Sequence, residues 1–250
     1  MTLEQVANVG LRIGEIVLKS GAEVYRAEFS IEKALEAFNV TGDVFVISTG
    51  IFITVNNEDG EIYTKIKRIK GKSANFHRLE LINNLSRELW YRDYTYEEIM
   101  HRLNAIEETK CYGLPVQLLA AFGLSTSFSF FFEATMVEAL ISGLVASCAY
   151  MINVNFLFKY LGLFFNNLIT SIFITAVCVG VFTLFPFLRL LQLIIGGIMV
   201  IVPGVAITSA MKDALNSDVL SSGYAFSEVI LTALAIGSGI SLTLSILLGG

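Results

Sequence analysis

A chain of 250 residues that is 54% hydrophobic and 16% charged has room for one soluble domain of ordinary size and a handful of membrane spans. Its net charge of -5, with no Lys/Arg-rich stripe, argues against nucleic acid as a partner. Cys111, Cys148 and Cys178 are widely spaced, without a C-x-x-C pair or a histidine cluster, which excludes a disulfide framework and a zinc site.

Charge falls into two blocks. Of the 17 Lys+Arg and 22 Asp+Glu, 14 and 17 precede Pro115, leaving 3 and 5 for the last 136 residues. A soluble core of that size would need a charged outer face, so the second block is solvated by lipid. The expected architecture is an α-helical integral membrane protein, residues 113–250, carrying an N-terminal α+β domain, residues 1–112. The opening MTLEQVANVGLRIGEIVLKS is acidic early and has no uninterrupted apolar run, so it does not read as a signal peptide. The head is therefore expected to be cytoplasmic.

In chain order, Val6, Val9, Ile13, Ile16 and Val17 form one helical stripe, and Val24, Ala27, Ile31, Ala34, Leu35 and Phe38 form a second beyond Ser20-Gly21. Val44–Ser48 and Ile51–Val55 are β-branched and aromatic runs separated by Thr49-Gly50. Asn57 to Gly60 is a turn, and Glu61 to Ile69 alternates Ile62 and Ile66 against Lys65 and Lys67, which predicts a small antiparallel meander. Leu79, Ile82, Leu85 and Leu89 mark a third helix, and the capping box Thr95-Tyr96-Glu97-Glu98 opens a fourth. His77 and His101 read as surface residues. Gly21, Gly50, Gly60 and Gly71 sit at turns and form no phosphate-binding fingerprint. The run Lys65, Lys67, Arg68, Lys70, Lys72 reads either as a solvated strand edge or as a patch for anionic headgroups.

Beyond residue 113, apolar stretches at about 115–132, 134–152, 167–185, 190–211 and 228–248 are each near the ~20 residues that a span requires. Val154 to Phe165, with Lys159, reads as an amphipathic interfacial segment. Five spans put the termini on opposite sides. With the head inside, Lys159 and Lys212 lie in inner loops and Arg189 outside, which obeys the positive-inside rule and puts the C-terminus outside.

The polar features come late. Pro203-Gly204 breaks the fourth stretch, either as an ordinary kink or as a transporter-type interruption that exposes half-helix ends to substrate. Asp213 and Asp218 come next, set in a solvated loop or turned toward a site. On one helix they would be about 140° apart, so sharing a site requires a re-entrant turn. Glu138 lies one turn into the second stretch. It is either interfacial or functional, since an unpaired carboxylate costs about 2.5 kcal/mol at the bilayer centre and less near an end.

Three stretches resemble the threonine/serine exporter family, specifically its split-subunit, N-terminal-domain members. They are LKSGAEVYRAEFSIEKAL from Leu18, DVFVISTGIFITV with Arg68 and the Asn75-to-Leu89 helix, and VPGVAITSAMKDALNSDVLSSGYAFSEVILTALAIGSG. The resemblance implies a five-span secondary transporter with a cytoplasmic head, exporting small carboxylate-bearing metabolites such as threonine, serine or dicarboxylates across the plasma membrane. The family residues map to Glu23, Arg26 and Glu28 in the head, and to Pro203, Gly204, Asp213, Asp218 and Gly223 in the membrane part. Phe132-Glu133-Ala134 departs from the family, where many relatives carry Gly-Gly before an acidic position that would be Glu138. Full-length relatives carry about five further spans, so a second, smaller polytopic subunit, or a homo-oligomer, is the expected partner alongside the lipid bilayer. No cofactor or metal is implied. A membrane-anchored receptor whose head binds a ligand is the alternative. An intramembrane enzyme is disfavoured because the spans carry no histidine or metal-ligand pattern.

Overall fold

The computed structural model describes residues 1–57, 60–71, 74–153 and 161–249. The chain divides into two units. Residues 1–111 group with 205–226, and residues 112–204 group with 227–250. The grouping of 205–226 with the charged N-terminal part is not visible in the charge division.

In the first unit, α1 (Leu3–Lys19) starts at a Thr2–Gln5 capping box and buries Val6, Val9, Ile13, Ile16 and Val17, the stripe that periodicity marks. Gly21, at φ +84°, makes the left-handed turn into α2 (Val24–Ala37), which packs against α1 where Gly14 leaves room for Ile31. Strands β1 (Thr41–Ile47), β2 (Gly50–Asn56) and β3 (Ile62–Arg68) form an antiparallel meander in the order β1-β2-β3. Ile51, Ile53 and Val55 of β2 join the core with α1. Helices α3 (Phe76–Glu88) and α4 (Tyr96–Glu107) complete it, capped by Asn75 and by the Thr95–Glu98 box. Two further helical pieces belong here: most of α9 (Gly204–Leu215) and the first turns of α10 (Val219–Leu248).

Strand β3 turns its lysines inward. Ile62 and Ile66 are exposed, while Tyr63, Lys65 and Lys67 meet a polar row on α1: Glu4, Asn8 and Glu15. Leaving two isoleucines in water forgoes roughly 1.5–3 kcal/mol each. An ion network opposes that loss. Glu15, 3% exposed, is met by Arg12 and Lys19 at 2.8 Å and by Lys67 at 3.5 Å, and Arg12 and Lys19 also reach Glu107 of α4. Burial works to raise the Glu15 pKa, but Lys19, Arg12 and Lys67 outweigh it and hold the carboxyl below its ordinary value. Lys65 and Lys67 are thus hydrogen-bond and ion-pair partners of α1 on the edge strand of the sheet, with Arg68 and Lys70 exposed beside them. Lys72 lies outside the described residues.

The second unit contains α5 (Leu114–Phe131), α6 (Met136–Ile152), α7 (Leu163–Leu184), α8 (Leu190–Ile198) and the remainder of α10. Among the described residues, α5, α7 and α10 are long and apolar enough to cross a membrane, and α6 is a shorter apolar helix. The fourth stretch forms two helices, α8 and α9, separated at residues 199–203. The last helix begins nine residues before the expected span, at Val219. Most of the interfacial segment expected at 154–165 lies outside the described residues, and 163–165 open α7.

Small residues allow close packing in this unit. A Cβ at Gly196 would overlap Ser129 and Ser142, one at Gly197 would meet Ile174, and one at Gly143 would overlap Thr126 and Phe122. Large side chains such as Leu119, Phe131 and Leu144 point outward, as expected where the solvent is lipid.

The turn between α5 and α6 puts Glu133 at φ +61°. A side chain in that region costs about 1 kcal/mol relative to glycine. Glu133→Gly is therefore expected to raise the midpoint of thermal unfolding by a few degrees. An unchanged or lowered midpoint in a detergent-solubilised melt would show that the turn carries no such strain.

Candidate functional site

Head-motif and C-terminal residues meet in the first unit. Glu23, 7% exposed, occupies the N-cap position of α2 but makes no side-chain cap bond. Its Oε1 accepts a hydrogen bond from Lys212 Nζ of α9 at 2.8 Å, and Arg26 Nη1 lies 3.9 Å from Oε2. Burial pushes the Glu23 pKa up, but Lys212, a backbone N–H and Arg26 more than offset it, so the carboxyl titrates below its ordinary range. Glu28 behaves in the opposite way. Burial first, then the charges of Glu32 and Asp218, raise its pKa. Asp218 therefore lies within electrostatic reach of the head motif.

Local geometry explains how the carboxylates are presented. Helix α9 closes with Ser217 at φ +64°, and its N–H and that of Asp218 donate to the carbonyls of Ala214 and Asp213, a Schellman ending. Asp218 then caps α10, its Oδ1 accepting from the Ser221 N–H at 3.0 Å. Asp213 is buried at 4% exposure. Among the described residues no group of three or more His, Cys, Asp or Glu has the arrangement of a metal site.

The break at Pro203 is present, with α8 ending at Ile198 and α9 starting at Gly204. A re-entrant return of Asp213 onto it is not. Helix α9 runs without interruption from Gly204 to Leu215, placing Asp213 about 14 Å along the axis from Gly204. Among the described residues, nothing lies within 4 Å of a Cβ built on Gly204 or Gly223. Neither glycine is kept small by a neighbour, and Gly223 sits within α10.

Glu138 stands apart from these residues, in the second unit. It is 1% exposed and completes a capping box with Thr135, whose N–H donates to Oε2 at 2.7 Å. Arg189, the N-cap of α8, approaches it from the other side. Its backbone N–H and Nε donate to Oε1 at 2.7 and 3.1 Å, and Nη2 donates to Oε2 at 2.8 Å. Nη2 also reaches the Glu133 carbonyl at 2.5 Å. The carboxylate is thus buried and paired, with its Arg189 partner partly exposed. It fastens the start of α6 to the start of α8.

A family model described as "Putative threonine/serine exporter" matches residues 8–247. The chain belongs to this family. No curated protein and no solved structure matches it. In this threonine/serine exporter family member, the aligned span runs from α1 to the last turns of α10, so it takes in both the head-motif residues and the buried polar groups of the helices.

Some of those groups escape a sequence reading. Asn166 Nδ2 donates to Asn153 Oδ1 at 3.2 Å, Asn153 Nδ2 donates to Thr170 Oγ1 at 3.1 Å, and Asn167 reaches Thr232 of α10 at 3.4 Å. Ser125 donates to the Gly196 carbonyl and Ser142 to that of Leu193, so hydroxyls of α5 and α6 satisfy carbonyls of α8. The adjacent Asn166-Asn167 at the head of an apolar run, and the Thr135-x-x-Glu138 spacing, are the sequence signals that could have found them.

Proposed function

We propose that this protein is a secondary-transporter subunit exporting small carboxylate-bearing metabolites, threonine- or serine-like amino acids or dicarboxylates such as succinate, across the plasma membrane. The family match over residues 8–247 carries this reading. The break supports it physically. The start of α9 is the positive end of a twelve-residue helix, suited to a substrate carboxylate. Asp213, about 14 Å along α9 from that end, and Asp218 beyond it would then serve a coupling proton.

The division into units bears on topology. The chain leaves the first unit after residue 111 and rejoins it at 205. An even number of crossings between those points, α5, α6, α7 and the broken fourth span, returns it to the starting side, and α10 makes the fifth. Helix α8 rises only about 14 Å, half the ~30 Å hydrocarbon core, so the turn at 199–203 and the start of α9 must supply the rest. We place the head in the cytoplasm and the C-terminus outside. An odd set of five spans calls for a second polytopic subunit of about five more.

The test is flux in vesicles reconstituted with this chain, alone and with that smaller subunit. Saturable movement of labelled threonine, serine or succinate is expected with both present, and the double variant Asp213→Asn, Asp218→Asn should stop it or remove its pH dependence. No flux of any of the three with both subunits present would overturn the function. Parent-like flux in the double variant would remove the aspartates from it.

A further inference from the structure

Helices α2 and α3 face each other across a seam that does not close. A helix pair in a soluble core normally meets through apolar side chains. Here the facing positions are Arg26, Phe29 and Lys33 on α2, and Asn83 and Arg87 on α3 with Trp90 just beyond its end. They border a groove of about 320 Å³, at the lower end of the range for small-molecule sites. Three cations line it and no acidic residue does. Lys33 is paired with Glu36 and Arg26 lies near Glu23, while Arg87 forms no ion pair among the described residues. Phe29 and Trp90 are 56% and 48% exposed, and the Lys33 ammonium lies 5.6 and 5.8 Å from their ring centroids. Both rings are therefore held beside the cationic groove with part of their faces in water.

We infer that this groove is a nucleoside-phosphate site, with the base stacked on Trp90 or Phe29 and the phosphate held by Arg87 and Arg26. Each alternative class leaves part of the groove unused. A free amino acid would bring its ammonium against three cations. An inorganic anion would leave two rings wet. An apolar ligand would strand the arginines without a counter-charge. Arginine matches a phosphate with a planar fork of donors, and an exposed indole accepts any base through its π-face.

The inference goes beyond the exporter reading and does not depend on it, because binding can be measured without transport. Trp90 is the chain's one tryptophan, so its fluorescence reports on this groove alone. Full-length protein in nanodiscs is titrated with AMP under red-edge excitation, with adenosine and inorganic phosphate as separate arms. Saturable quenching by AMP is expected, with adenosine binding about tenfold or more weakly and Arg87→Gln weakening AMP by a similar factor. Absence of saturable quenching in protein that elutes as a folded, monodisperse species would overturn the site. So would equal affinity for adenosine and AMP, or parent-like affinity in both Arg87→Gln and Arg26→Gln.

Discussion

Glu138→Gln is expected to destabilise the second unit by about 2–3 kcal/mol, because it strips the partner from Arg189 and weakens every bond that the carboxylate accepts. Breaking a fully buried pair costs roughly 3–5 kcal/mol. The Arg189 side chain is 44% exposed, so water recovers part of the loss and the lower figure applies. Glutamine can still accept from the Thr135 N–H, so the capping box should largely survive and the deficit should sit at the Arg189 side. In a chain of this size the melting midpoint should fall by about 5–10 °C. The double variant Glu138→Gln, Arg189→Gln should recover part of that, since it leaves no uncompensated charge. A single variant that melts with the parent would show that the pair does not hold α6 to α8.

Breaking the Glu23–Lys212 contact should have a larger effect on flux than on stability. Lys212 is more than half exposed, so little folding energy rests on it, yet it is the direct ionic contact between the head motif and α9. Lys212→Gln and Glu23→Gln are each expected to lower flux about tenfold, and the exchanged pair Glu23→Lys, Lys212→Glu should restore part of it. The two shifts set the pH window. The Glu23 pKa is lowered, so its contribution is present above the ordinary carboxylate value and fades as pH falls through the folded value. The Lys212 pKa is raised by Glu23, so its contribution is present below the ordinary amine value and is lost as pH rises through the folded value. The contact should therefore be intact from about pH 5 to pH 10. Backbone hydrogen exchange across 205–226 should quicken in the single variants within that window. Parent-like flux together with unchanged exchange would show that the contact is incidental.

Periodicity made the head's helices legible, because the α1 stripe and the Thr95–Glu98 box depend on local spacing alone. It could not determine which face of β3 turns inward. Alternation with a period of two marks a strand and leaves the face open. Residues more than fifty positions away decide it, where Glu4, Asn8 and Glu15 on α1 take the inner side. The proline break was legible for the same local reason, but the path of the chain beyond Gly204 was not. Asp213 and Asp218 could be placed on one helix or in a loop, whereas the chain ends one helix between them at Ser217 and starts the next with Asp218 as its cap. A left-handed serine carries no strong sequence signature. Thr135-x-x-Glu138 has the same form as the box at Thr95, but its apolar surroundings directed attention to the membrane.

The grouping of residues 205–226 with the first 111 bears on how the protein can be dissected. Charge alone invites a cut after Cys111, and the resulting fragment would hold the whole sheet and four helices. It would also hold Glu23, a buried carboxylate whose ammonium partner was left on the discarded piece. Above its pKa that group would have to find water or a proton by loosening the start of α2. The working domain is discontinuous, and a faithful excised version would need the α9 segment joined back by a linker across the excised helices. Recombination that exchanged heads between relatives at the 111 boundary would meet the same obstacle, so head and α9 are expected to be inherited together.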